Sequence, residues 1–297
     1  MDRVRKMVFC DELYKRGVRG KGVTVAVLDS GIYGHIDFDH RIRVFKDFVQ
    51  DKKYIYDDFG HGTHVAGVLA GDGRASIGTY HGIAPECNLV ILKILNEIGE
   101  GNAENLINAI YWVIRHREEL NIQVMNISIG LVESSDLKKK ESIMKATEEA
   151  WNSGIVVVAA AGNAGPLDET ITAPGLCERV ITVGCANDTI PYNGQYGMCS
   201  NYTGRGSMKS KILKPDIIAP GSNVISCGYE KLHKYVKMSG TSMSTPVIAG
   251  ACALLLGEYP KLKNEEVKRI IKRATNDCGL PRTIQGNGMI NFTKLGI

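Results

Sequence analysis

The sequence predicts an α/β fold with a mainly parallel central sheet between layers of helices. Two observations carry that reading. Short, near-continuous apolar runs recur at residues 23–28, 89–95, 124–129, 155–161 and 180–183. Strands that are apolar on both faces belong to a sheet covered on both sides, which is the habit of parallel sheets. Between the runs lie stretches of helical period, and this alternation feeds right-handed crossovers between parallel strands.

Taken in order, the first run is β-branched and ends at Asp29, followed by Ser30-Gly31. A helix is expected after Asn102, a residue suited to the N-cap. Leu106, Ile107, Ile110, Val113 and Ile114 then return at three- and four-residue spacing. A second helix is expected over residues 135–152, with Gly154 as its stop. Its charge run, Lys138-Lys139-Lys140-Glu141, reads as a solvated face. Asn264 is expected to cap a last helix, with Val267, Ile270, Ile271 and Ala274 as its apolar stripe and Gly279 as its end.

Composition removes several classes of function. The chain has 297 residues, 44% hydrophobic and 23% charged, which is ordinary for a globular protein and argues against disorder. Thirty-six Lys and Arg against 32 Asp and Glu leave a net charge of +4, far from the concentrated basic surface of a nucleic-acid binder. No apolar stretch reaches the roughly 18 residues of a membrane span; the longest, residues 247–256, is shorter and contains Gly250. Met7-Val8-Phe9-Cys10 is too short for a secretory apolar region of about 7–15 residues. A cytoplasmic protein is expected, or a secreted one if the sequence is a trimmed mature form. Eight cysteines without a Cys-x-x-Cys pair spell neither a zinc knuckle nor a redox dithiol, and are expected as reduced, mostly buried thiols.

Four short segments depart from plain α/β packing. Val25-Ala26-Val27-Leu28-Asp29-Ser30-Gly31 ends a buried strand in a carboxylate and a glycine turn. Sites form at the carboxyl ends of parallel strands, although an Asp there also serves as a turn or cap residue. Gly60-His61-Gly62-Thr63-His64 frames one histidine with glycines at the start of a small-residue helix. His64 follows three residues later, but with no third ligand in view it reads as a packed, hydrogen-bonded histidine rather than a zinc ligand. Ser239-Gly240-Thr241-Ser242-Met243-Ser244-Thr245-Pro246 opens another small-residue helix. Pro246 belongs near a helix start, which sets Ser242 in the first turn, where backbone N–H groups favour negative charge. Gly162-Asn163-Ala164-Gly165 follows a strand, so Asn163 reads as a turn residue or as an amide aimed at a reacting oxygen.

The order Asp29, His61, Asn163, Ser242 resembles that of the subtilisin-type serine endopeptidases, the subtilase family. Further segments resemble the family: Val124 to Gly130, Leu92 to Gly101, Pro215 to Gly221 and Gly286 to Asn291. The resemblance runs from about Gly20 to Phe292 and implies the subtilisin-like, three-layer α/β/α fold. It implies that Ser242 is the nucleophile, His61 the general base and acid, and Asp29 the group that orients His61. Asn163 and the Ser242 N–H are implied to form the oxyanion hole. Gly99, Glu100 and Gly101 on one side, and Ser128, Ile129 and Gly130 on the other, are implied to pair with the peptide backbone. Ser128 to Gly130 and Ala160, Ala161 and Gly162 are implied to wall a roomy P1 pocket for large apolar side chains.

The chemistry needs no cofactor. Calcium is a structural ion of the family, and Asp37 matches its carboxylate ligand, although residues 71–78 depart from the usual pattern. The expected partners are polypeptide substrates, without nucleic acid or membrane. The chain resembles the intracellular or short-propeptide branch of the family, or a trimmed form of a longer member. Residues 1–19 are then a short propeptide, an inhibitory arm or simply a docked segment, ahead of a catalytic domain over residues 20–297. A broad degrading enzyme, a narrow processing enzyme and an inactive peptide-binding relative remain distinct outcomes of the same fold.

Overall fold

Strand β1 (Thr24–Asp29) lies third from one edge of a sheet that has nine strands among the described residues, and every residue of β1 is buried. In the computed structural model the described residues are 1–130, 137–186 and 202–297. The other strands are β2 (Ile42–Asp47), β3 (Asn88–Lys93), β4 (Ile122–Ile127), β5 (Val156–Ala160), β6 (Ile181–Ala186), β7 (Ile217–Pro220), β10 (Thr275–Asn276) and β11 (Met289–Ile290). Their order is β10-β11-β7-β6-β5-β4-β1-β3-β2. All neighbours are parallel except β10 and β11 at one edge. A separate hairpin pairs β8 (Val224–Cys227) with β9 (Tyr235–Met238).

Helices cover the sheet. α3 (His61–Ala70) packs against α6 (Thr241–Glu258), and α6 lies across β4 to β7. The near-total burial of α6 explains its small, apolar sequence, since a helix surrounded by protein has no polar face to show. α4 (Ala103–His116) packs against α5 (Leu137–Asn152). The three-layer α/β/α expectation holds. No helix among the described residues is long and apolar enough to cross a membrane.

Most local expectations hold as well. The Asn102 side chain accepts from Asn105 N at 2.8 Å and caps α4. Lys138, Lys139 and Glu141 are exposed on α5, and Gly154 follows at φ 97°. Residues 135 and 136 of the expected α5 lie outside the described residues.

Three expectations fail. Helix α7 (Asn264–Arg273) takes Lys263 as its N-cap, and Asn264 sits inside the first turn. Its amide donates to Trp151 O at 2.6 Å, so the buried Asn ties α7 to the end of α5. The helix also stops at Arg273, because Thr275 and Asn276 pair with β11; Gly279 turns the chain further on. The cysteine expectation holds for Cys10, Cys87, Cys177, Cys227 and Cys252, which are free and buried, and for Cys278, free but exposed. It fails at Cys185, which is disulfide-bonded, and Cys199 lies outside the described residues.

Residues 1–19 form α1 (Asp2–Val8) and α2 (Cys10–Lys15). Met1, Val4, Val8, Cys10, Leu13 and Val18 join the common core. The Met1 amine donates to Ile225 O at 2.8 Å. The buried Arg5 donates to Asp11 Oδ1 at 2.8 Å and to the carbonyls of Thr79 and His81. A buried apolar side chain contributes about 1.5–3 kcal/mol, against a whole-domain stability of about 5–15 kcal/mol. Deleting residues 1–19 is therefore expected to unfold most of the protein, as read by circular dichroism, and not to activate it. A folded and more active truncated protein would mark the segment as a removable arm.

Candidate active site

The carboxyl end of β1 delivers Asp29 with no exposure to solvent. Its Oδ1 accepts from Ser30 N at 2.8 Å and from the His61 ring at 2.7 Å, through Nδ1. Oδ2 is buried and has no hydrogen-bond partner among the described residues. Since Nδ1 carries the proton toward Asp29, Nε2 is the nitrogen left for the other side of the ring.

His61 is the first residue of α3, as the glycine frame predicts. Gly60 precedes it at φ 89°, and a side chain there would run into the Tyr229 ring. Gly62 is packed against the Gly31 carbonyl, so β1 and α3 meet almost backbone to backbone. Asp57 holds this junction. Its carboxylate accepts from Ser30 Oγ (2.8 Å), Phe59 N (3.2 Å), Gly60 N (2.7 Å), Thr63 N (2.9 Å) and Thr63 Oγ1 (2.5 Å). Ser30 Oγ in turn accepts from Gly62 N at 2.8 Å. Burial works against a charged His61, but the Asp29 carboxylate outweighs it through charge and hydrogen bond, and Asp57 adds to the effect. The imidazole pKa is raised above its usual value.

Ser242 is the second residue of α6, in the first turn as expected, and is half-buried. It shares a cleft of about 180 Å³ with His61, Phe59, Leu95, Gly99, Gly101, Ser128, Ile129 and Gly130. Asn163 is exposed just beyond β5. Its Oδ1 accepts from Thr241 N at 3.1 Å and Thr241 Oγ1 at 3.0 Å. A backbone N–H can only donate, so this contact fixes which end of the amide is oxygen. Nδ2 remains beside the Gly240 turn that leads into Ser242; a Cβ on Gly240 would stand 3.4 Å from it.

Other predicted residues are placed differently. Glu100 is exposed and does not line the cleft; its N–H donates to Asn96 Oδ1 at 2.8 Å. Ala160, Ala161 and Gly162 are buried and do not line it either. Thr172 stands between the two expected pocket walls, where a Cβ on either Gly130 or Gly162 would collide with its Oγ1. That hydroxyl is buried and has no hydrogen-bond partner among the described residues. His64 is fully buried, with Nε2 2.9 Å from Val224 O, and burial lowers its pKa to about 3. It is the packed histidine the sequence suggested.

Asp37 is also fully buried. Its oxygens accept from Ala75 N (2.8 Å), Tyr235 Oη (2.7 Å) and Cys227 Sγ (3.6 Å). His35 Nδ1 lies 3.7 Å away and itself accepts from Asp37 N. Calcium takes six to eight oxygen ligands. A carboxylate ringed by N–H, O–H and S–H donors and an imidazole does not fit that ion.

The sequence reading overlooked Asp57, Ser30, Thr241, Phe59 and Thr172. Asp57 carried a usable signal, an acidic residue just ahead of a helix start. Thr172 carried none, since it meets Gly130 only through the fold.

Residues 20–288 match the Subtilase family. Serine protease AprX of Bacillus subtilis (strain 168) is 41% identical over 294 residues, covering 93% of this chain and 66% of that protein, so the chain spans just under two thirds of that relative. The major intracellular serine protease of the same organism is 33% identical, covering 97% of this chain and 86% of its own length. Among solved structures, Sphericase superposes with a TM-score of 0.81 at 28% identity, over 92% of each chain. A cold adapted subtilisin-like serine proteinase gives 0.72 at 29%, over 92% of this chain and 88% of that one. Order of motifs, sheet and cleft agree with these likenesses, and the chain belongs to the subtilase family of serine proteases.

Proposed function

We propose that this chain is a serine endopeptidase that cuts polypeptides through Ser242, His61 and Asp29. One observation supports it above the rest: a buried carboxylate holds His61 Nδ1 at 2.7 Å, and His61 lines the same cleft as Ser242. In this reading His61 Nε2 removes the Ser242 proton as Oγ attacks the scissile carbonyl. The resulting imidazolium, stabilised by Asp29, gives that proton to the leaving amine. The Asn163 Nδ2 and the Ser242 N–H, at the start of α6, receive the oxyanion. Water then hydrolyses the acyl-enzyme with His61 again as base.

The substrate is laid as a strand between residues 99–101 and 128–130. Leu95 and Gly101 already make an antiparallel bridge there. We place an apolar side chain at P1, as the small and apolar walls suggest, with Thr172 setting the depth of its pocket in place of a roomy slot. Calcium has no place at Asp37 in this reading. The cytoplasm is the proposed setting, on the free buried thiols and the likeness to the intracellular relative; the Cys185 disulfide argues for an oxidising one.

A fluorophosphonate is expected to label Ser242 and to leave Ser242→Ala unlabelled. In this family the loss of that serine costs about 10⁶ in turnover, a family value rather than one obtained from this geometry. An unlabelled wild type would turn the reading to an inactive peptide binder.

The general base must be neutral, so kcat/KM is expected to rise with pH through a pKa above the usual ~6.5 of histidine. Asp29→Asn is expected to lower that pKa and cut kcat by roughly 10⁴. An acidic limb at or below ordinary histidine in the wild type contradicts the Asp29–His61 pairing.

Thr172→Ala is expected to improve cleavage after Phe relative to Ala by about 10-fold, the scale of one or two methylenes in a pocket. An unchanged ratio removes Thr172 from the pocket. Melting curves of wild type and Asp37→Asn, each with and without chelator, are expected to show the same chelator shift. A shift seen only in the wild type would restore calcium at Asp37.

A further inference from the structure

Lys93 ends β3 directly in register with Asp29, and its side chain has no exposure. Nζ donates to the Ser30 carbonyl at 2.6 Å, to Asp58 Oδ1 at 2.6 Å and to the Leu95 carbonyl at 2.8 Å. The Tyr56 ring lies 4.8 Å from the charge. An ammonium has three N–H groups, and all three are used. A buried cation without such partners is strongly destabilising.

The three acceptors belong to three separate pieces of the cleft. Ser30 follows Asp29, and its hydroxyl receives the Gly62 N–H beside His61. Asp58 lies between Asp57 and Phe59, on the loop that leads into α3. Leu95 lines the cleft and bridges to Gly101 on the proposed substrate edge. We propose that Lys93 is a positioning residue, whose single ammonium sets the spacing between the Asp29–His61 pair and the edge that receives the peptide. The inference rests on the peptidase reading above. It adds a residue that touches neither substrate nor reacting atoms yet affects both binding and chemistry.

Two readouts test it, both taken well below the melting temperature. The rate of fluorophosphonate labelling reports the alignment of Ser242 with His61 and makes little use of the edge. The gain in kcat/KM when a peptide is lengthened at fixed P1 reports the edge. Lys93→Met keeps the stem and removes three hydrogen bonds. It is expected to slow labelling about 10–100-fold, the scale of a misplaced reacting group, and to erase most of the gain from length. Asp58→Asn, at a side chain 29% exposed, is expected to move both readouts the same way by less.

Lower melting temperatures with both readouts at wild-type values would make Lys93 purely structural and overturn the proposal. If Lys93→Met does not fold, Asp58→Asn decides on the same two readouts. A wild type that labels at Ser242 keeps the peptidase reading whatever the variants do. A wild type that fails to label overturns that reading and this inference with it.

Discussion

A carboxylate sealed from water, with one oxygen committed to an imidazole, is the constraint around which this molecule is arranged. Asp29 has no exposure, and among the described residues Ser30 N–H and the His61 ring answer its charge. A desolvated charge is tolerated only with such partners. The Asp29–His61 bond therefore fixes more than a side chain. His61 opens α3, so the bond pins that helix to the end of β1, and α3 packs in turn on α6, which carries Ser242. Gly62 packs so closely on the Gly31 carbonyl that a Cβ there would collide with it. A shift of the strand end would be felt at Ser242 through two rigid helices.

Much of the frame was legible because the sheet is parallel and doubly covered. Strands that must be apolar on both faces stand out as runs, and β1, β3, β4, β5 and β6 all fall within a few residues of theirs. Helix α4 was legible from its stripe and its Asn102 cap. The ends of α7 were not. Asn264 has the chemistry of a cap, yet tertiary contacts with Trp151 and Ile155 claimed its amide. Ala274 continues the stripe, yet pairing of Thr275 with Ile290 pulled the chain into a strand. Both misreadings arise where a distant segment outbids a local propensity.

The candidate site divides along the same line. Asp29, His61, Asn163 and Ser242 sit in glycine-rich turns at element boundaries, and such turns are conspicuous in a sequence. Their supports are not. Asp57 lies three residues before the Gly60 motif and Thr241 lies inside the Ser242 motif, but neither residue type announces by itself a contact with Ser30 or Asn163. Thr172 and Lys93 act from other elements altogether. A lysine ending an apolar strand reads as the point where that strand meets water. Lys93 instead stays inside, because Ser30, Asp58 and Leu95 supply three oxygens that no spacing rule foretells.

Charge is sorted along the cleft. Behind His61 stand Asp29 and Asp57, both buried, and together they raise the imidazole pKa. That leaves less neutral base at pH 7, but the same carboxylates stabilise the imidazolium formed once a proton leaves Ser242. In front stand the opposite ends of dipoles. The first turn of α6 presents N–H groups, and Thr241 turns the Asn163 amide so that its nitrogen, not its oxygen, is left beside them. On the proposed reading, cation and oxyanion appear in the same step on opposite sides of Ser242 Oγ. The protein has the matching charge in place on each side beforehand, held by buried hydrogen bonds that do not reorganise when the reaction occurs.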